Sequence, residues 1–163
     1  MNFGNVPNHV VNGGGFGNPG NNPGNNPGHN PENNPGHNPG NNPMVMDIDQ
    51  ETEKNEYYRR VIYRSKFIEV TLMSIPPNRT IPLEMHNGDQ FIRIENGTGV
   101  VTINGMMYRI YDGIAIVIPA GNQHLIENTG TLALKLYTIY SPPQHSENTI
   151  QQMDEQGNLY DVV

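Results

Sequence analysis

Between Tyr58 and Tyr140 the apolar residues come in short runs instead of recurring every three or four positions. The runs are Tyr58–Tyr63, Phe67–Ile75, Gln90–Ile94, Val100–Ile103, Met106–Ile110, Ile114–Ile118, His124–Glu127 and Leu132–Tyr140. They are dense in Val, Ile, Tyr and Thr and bounded by Pro-Pro-Asn, Asn-Gly, Asp-Gly, Ala-Gly-Asn and Thr-Gly-Thr, which predicts strands separated by turns. Asn104-Gly105 is the strongest hairpin signal, because both residues tolerate the positive φ of a type I′ turn. Asn87-Gly88 and Asn96-Gly97 offer two more. Eight or so antiparallel strands within residues 57–140 predict an all-β fold that closes as a barrel or as two facing sheets, since an open sheet would leave exposed edges. A barrel of this size can enclose one small ligand.

The first 43 residues have a different texture. They contain 15 Asn, 10 Gly and 8 Pro, with Glu32 as the one formally charged side chain. From Asn18 to Pro43 an Asn-Pro-Gly/Glu-Asn/His unit repeats every four residues, and each unit can form a type II turn without long-range contacts. Such a segment has no apolar face to offset the roughly 1–2 kcal/mol of backbone entropy per ordered residue, so 1–43 is expected to be a disordered spacer or display tail. His29 and His37 recur within it, and replacement of Asn in a solvated repeat explains them better than metal binding. The organisation expected is therefore a tail (1–43), an acidic linker (44–56), a barrel (57–140) and an acidic C-terminal extension (141–163).

The net charge of −7 falls on the flanks: residues 57–140 carry +2, whereas 44–56 and 141–163 carry −4 each. With a pI near 5.2 and no basic run, neither nucleic acid nor an anionic membrane surface is an expected partner. The absence of cysteine excludes disulfides and thiolate metal sites. The chain shows neither a signal-peptide pattern nor 18 consecutive apolar residues, which favours an intracellular location.

Candidate chemistry appears where polar residues interrupt the strands. Glu84 and His86 are two apart and would share a face on a strand, Gln90 follows the Asn87-Gly88 turn, and His124 follows Pro119-Ala120-Gly121-Asn122-Gln123. Two imidazoles, a carboxylate and an amide oxygen make a mixed N/O donor set suited to Zn, Mn, Fe, Ni or Co. Residues 78–97 resemble the first cupin motif, G(x)5HxH(x)3–4E(x)6G, with Asn78 in place of Gly, Glu84 in place of the first His and Gln90 in place of Glu. Residues 113–128 match the second, G(x)5PxG(x)2H(x)3N, at Gly113, Pro119, Gly121, His124 and Asn128. The phrases 89–95 and 135–143 resemble small single-domain cupins of the mannose-6-phosphate isomerase-like group, and the likeness covers about residues 57–145.

The resemblance implies a double-stranded β-helix, or jelly-roll, fold with a divalent metal at Glu84, His86, Gln90 and His124. Gln in place of Glu leaves one formal negative charge in that set, so the centre is expected to hold metal more weakly than a three-His, one-Glu site. Tyr137 and Tyr140 are candidate pocket phenols, against ordinary strand packing. Asn128 is expected in a turn or polar network. The family label implies a sugar or sugar-phosphate isomerase using the metal as Lewis acid, although Arg79, Arg93, Arg109 and Lys135 form no recognisable phosphate motif. A non-catalytic module that binds metal or a small ligand, displayed by the tail, and a metal-dependent dioxygenase are the competing readings. A homodimer through the outer sheet face is also expected, with Phe91 and Arg93 at its interface.

Overall fold

The computed structural model describes residues 43–162; the repeat tail, with His29 and His37, lies outside them apart from Pro43. The eight predicted runs form β1 (Arg59–Arg64), β2 (Glu69–Ile75), β4 (Asp89–Asn96), β5 (Thr98–Ile103), β6 (Met106–Tyr111), β7 (Ala115–Ile118), β8 (His124–Asn128) and β9 (Leu134–Ser141). The sequence pattern did not signal β3 (Thr80–Glu84), whose Pro82 masks the strand, nor the terminal strands β10 (Ile150–Met153) and β11 (Leu159–Asp161). Alternation explains the strand assignments. In β4 Gln90, Ile92 and Ile94 are buried while Phe91, Arg93 and Glu95 are less so, and in β9 Leu134, Leu136, Thr138 and Tyr140 turn inward.

The strands form two antiparallel sheets: seven strands in the order β11-β10-β1-β2-β9-β4-β7, and four in the order β3-β8-β5-β6. The sequence-distant pairings β2 with β9 and β3 with β8 wind the chain into a jelly-roll barrel. The hairpin joining β5 and β6 turns at Asn104 (φ 48°) and Gly105 (φ 82°), the two positive dihedrals that a type I′ turn requires. Between the sheets lies an apolar core of Met73, Ile75, Ile81, Ile92, Ile94, Val101, Ile110, Ile126, Leu134 and Leu136.

Both acidic flanks join this fold. Within the segment assigned to the linker, Ile48–Lys54 forms α1; the Asp47 carboxylate caps it by accepting from the Gln50 N–H at 3.1 Å, and Lys54 lies in its last turn. The helix packs on β2, β4 and β9. Within the C-terminal extension, β10 pairs with β1 through Arg59 opposite Gln151, and β11 pairs with β10. Shortness concealed these elements, because α1 has too few residues to show an apolar stripe and β10 and β11, of four and three residues, are too short to show an alternation. Among the described residues no helix is long and apolar enough to cross a membrane.

Candidate metal centre

Two short elements deliver the imidazoles. Glu84 ends β3 and pairs with His124 at the start of β8, so their side chains leave the sheet on the same side. His86 is beyond the strand, in the loop before β4, and not on a common strand face with Glu84. The loop is held by the Gly121 N–H, which donates to the His86 carbonyl at 2.8 Å. Gly88 lets the loop pass against the end of β9, since a Cβ there would collide with the Ser141 carbonyl.

The ligand atoms of Glu84, His86 and His124 lie within 4.8 Å of one another. His124 is buried, and its Nδ1 faces the Asn122 carbonyl at 3.1 Å. That contact requires the proton on Nδ1 and leaves the Nε2 lone pair bare. Nε2 of His124 and Nε2 of His86 are both buried without a hydrogen-bond partner, the latter 3.3 Å from Glu84 Oε2. Gln90, on β4, donates its amide N–H to Thr138 Oγ1 at 3.1 Å, so its buried Oε1 also has no partner. Burial pushes the Glu84 carboxyl up, but the neighbouring His86, Arg59 and His124 side chains outweigh it and hold the group below the usual carboxylate range.

Tyr140 is buried, with its ring edge-on to His86 at 5.2 Å, and burial pushes its phenol far up, so it keeps its proton. Tyr137 corrects the expectation for the pocket phenols. It stands on the opposite face of β9, half-buried against Phe91 with ring centroids 6.2 Å apart, because neighbouring odd and even positions of a strand face opposite ways. Arg93 shares that outer face and lies 3.6 Å from Glu95. Asn128 closes a polar network as expected: its amide donates to the Ile75 and Leu132 carbonyls, and its oxygen accepts from the Gly130 N–H.

Sequence reasoning missed two groups. Arg59, only 7% exposed, reaches in from β1 and places Nη2 3.4 Å from Glu84 Oε1. Glu69, fully buried on β2, accepts from Thr71 Oγ1, from the Gln144 and His145 N–H groups and from His145 Nδ1. The His145 ring packs on Tyr140 at 5.4 Å, so this clasp backs the site from behind. A charged residue in the inward register of Glu69, Thr71, Met73 and Ile75 was a readable signal; nothing local pointed to Arg59.

The Cupin domain family matches residues 71–140. A crystal structure of BH2720 from Bacillus halodurans superposes with a TM-score of 0.67, at 42% identity over 68% of this chain and 89% of that one. The chain belongs to the cupin family. The cupin is also 41% identical over 115 residues to the uncharacterized protein YrkC of Bacillus subtilis, a match of 66% of this chain that spans 62% of that protein. Mannose-1-phosphate guanylyltransferase of Escherichia coli is 27% identical over 120 residues, and there this cupin corresponds to 25% of the enzyme's length.

The donor set fits a divalent ion. A buried polar atom left without a partner is costly, and here the Nε2 atoms of His86 and His124 are two such atoms clustered with one carboxylate, with Gln90 Oε1 a third buried atom that has no partner. Imidazole and oxygen donors together suit first-row divalent ions.

Proposed function

We propose that this cupin holds a divalent metal through Glu84, His86 and His124, with the Gln90 amide oxygen as a fourth donor, and binds a small molecule at that metal. The observation that carries the reading is the clustering of Glu84 with the His86 and His124 imidazoles, whose buried Nε2 atoms have no hydrogen-bond partner. Bound there, the metal would supply Lewis-acid polarisation of a ligand oxygen. The chain's own residues supply the rest: Asn122 fixes the tautomer of His124, Thr138 accepts from the Gln90 amide N–H and leaves the amide oxygen without a partner, and Tyr140 closes the wall beside His86.

Sugar or sugar-phosphate isomerisation is the catalytic form of this reading, supported by the likeness to an enzyme whose name places it in sugar-phosphate chemistry. Such a reaction needs a base beside the metal. Among the described residues, Tyr140 keeps its proton, Glu69 is occupied by four donors and Glu84 is a proposed ligand, which supports ligand binding more than proton transfer. Metal content by mass spectrometry on untagged protein, followed by a sugar-phosphate isomerisation assay of the loaded protein, tests both. Loading near one ion per chain with no turnover leaves a binding module; turnover lost with the metal establishes the isomerase; protein that takes up no divalent ion refutes the proposal.

A further inference from the structure

Arg59 is an unusual neighbour for a cation site. It is 7% exposed, its Nη1 donates to Gln151 Oε1 at 2.8 Å, and its Nη2 makes a long contact of 3.4 Å with Glu84 Oε1. Its Nε–H is buried with no hydrogen-bond partner. A guanidinium is always charged and offers its donors in a planar fork matched to oxyanions. Here that fork is half used: one arm is held by a neutral amide, one is stretched toward a carboxylate, and one N–H is free.

The charges around it make the vacancy meaningful. Glu84 is the single carboxylate in the Glu84, His86 and His124 cluster, and Gln90 adds none. Glu69, the fully buried carboxylate at this end of the barrel, has its oxygens occupied by Thr71, two backbone N–H groups and His145. Asp161 reaches Arg59 only through Gln151, which donates to it at 3.1 Å. Loading a divalent ion would therefore leave the centre with a surplus of positive charge in a half-buried site, because the one carboxylate is shared between the ion and Arg59.

We infer that Arg59 belongs to the binding site and that the metal-loaded centre takes an oxyanion, a carboxylate or a phosphate, held by the metal on one side and by the Arg59 fork on the other. This rests on the metal reading above. It also has a consequence that metal binding alone lacks: metal and anion must each tighten the other, by the same factor.

The test is a cobalt(II) titration of the full chain by calorimetry and visible absorption, in a buffer of weakly coordinating ions, alone and with inorganic phosphate, acetate or glycerol. Phosphate or acetate should tighten cobalt binding by about tenfold or more and alter the cobalt spectrum, whereas glycerol should do neither. Whichever anion couples more strongly identifies the oxyanion class. In Arg59→Gln the ratio of cobalt affinities with and without the anion should collapse toward about one, and Arg59→Lys should restore part of it. Cobalt binding that neither anion changes overturns this inference alone, as does full coupling in a folded Arg59→Gln. Should that variant fail to fold, the anion-against-glycerol comparison in the parent chain still decides. A parent chain that binds no cobalt overturns the metal reading and this inference with it.

Discussion

The two ends of the barrel interior are built on the same strands and obey different rules. Along β9 the inward residues run Leu134, Leu136, Thr138, Tyr140; along β4, read toward the same end, Ile94, Ile92, Gln90; along β2, Ile75, Met73, Thr71, Glu69. In the smaller sheet Ile81 and Ile126 face each other at one end, and Glu84 and His124 at the other. The register sets Thr71, Thr138 and Ile92 level and puts Glu69, Tyr140 and Gln90 in the next layer, so the apolar half is a closed core and the polar half lies beyond it. Folding stability comes chiefly from the first half, which leaves the second free to carry unsatisfied donors that only a ligand can satisfy.

Truncation separates the ends most forcefully. Leu136→Ala, deep in the apolar half, should cost about 2–5 kcal/mol in urea unfolding of the metal-free protein. Gln90→Leu should cost less, about 1 kcal/mol, since it removes an oxygen that has no partner and a single neutral hydrogen bond, to Thr138. Equal losses at the two positions would mean that the polar half is load-carrying core and not a site. Metal addition should reverse the ranking. A divalent ion at a hundred times its Kd stabilises the folded state by about 2.7 kcal/mol. His86→Ala and His124→Ala should lose that rise in Tm, Glu84→Gln should reduce it, and Gln90→Glu should enlarge it. Both His variants responding like the parent would break the assignment.

What was legible in the sequence follows the same division. The second motif, Gly113 through Asn128, is local: a turn, a strand end and one histidine within 16 residues, so its spacing reported the structure directly. Glu84, His86 and Gln90 were legible for the same reason, because one strand end, its loop and the next strand hold all three. Arg59 stands 25 positions before Glu84 on a strand of another sheet, and only the fold brings them together. The flanking elements were hidden by composition. In α1 the Asp47 cap and a single buried residue, Thr52, do the work that an apolar stripe does in longer helices, and β10, four residues long, is held by pairing with β1 and by Met153 packed against the core. The alternation of β9 did carry the correction for Tyr137: counting by twos from Tyr140 passes Thr138 and never reaches it.

The Glu69 clasp sharpens the comparison with pH. Burial pushes this carboxyl up, but the hydrogen bonds and charge of His145, with Thr71, outweigh it and hold the group below the usual carboxylate range. A depressed folded value means that the clasp contributes its stability above about pH 4.5, the ordinary carboxylate value, and loses it as pH falls through the folded value. Metal-free parent and Glu69→Gln should therefore differ by about 1–3 kcal/mol at pH 7 and converge toward pH 3 in urea unfolding. A gap that stays constant across that range would show that Glu69 acts through shape and not through its charge.

The smallest effect belongs to the outer face. Tyr137 points away from the barrel, touches Phe91 and leaves its hydroxyl outside the candidate site. Tyr137→Phe should change urea stability by less than about 0.5 kcal/mol, the usual range for surface substitutions, and should leave the metal-dependent rise in Tm intact. Tyr140→Phe is the matched control on the inward face, where the hydroxyl is buried beside Thr138 and the ring lies against His86. Removing that buried hydroxyl should cost about 1 kcal/mol. If Tyr137→Phe instead weakened the response to metal and Tyr140→Phe did not, the inward and outward faces of β9 would have to be exchanged, and with them the register that places Gln90 opposite Tyr140.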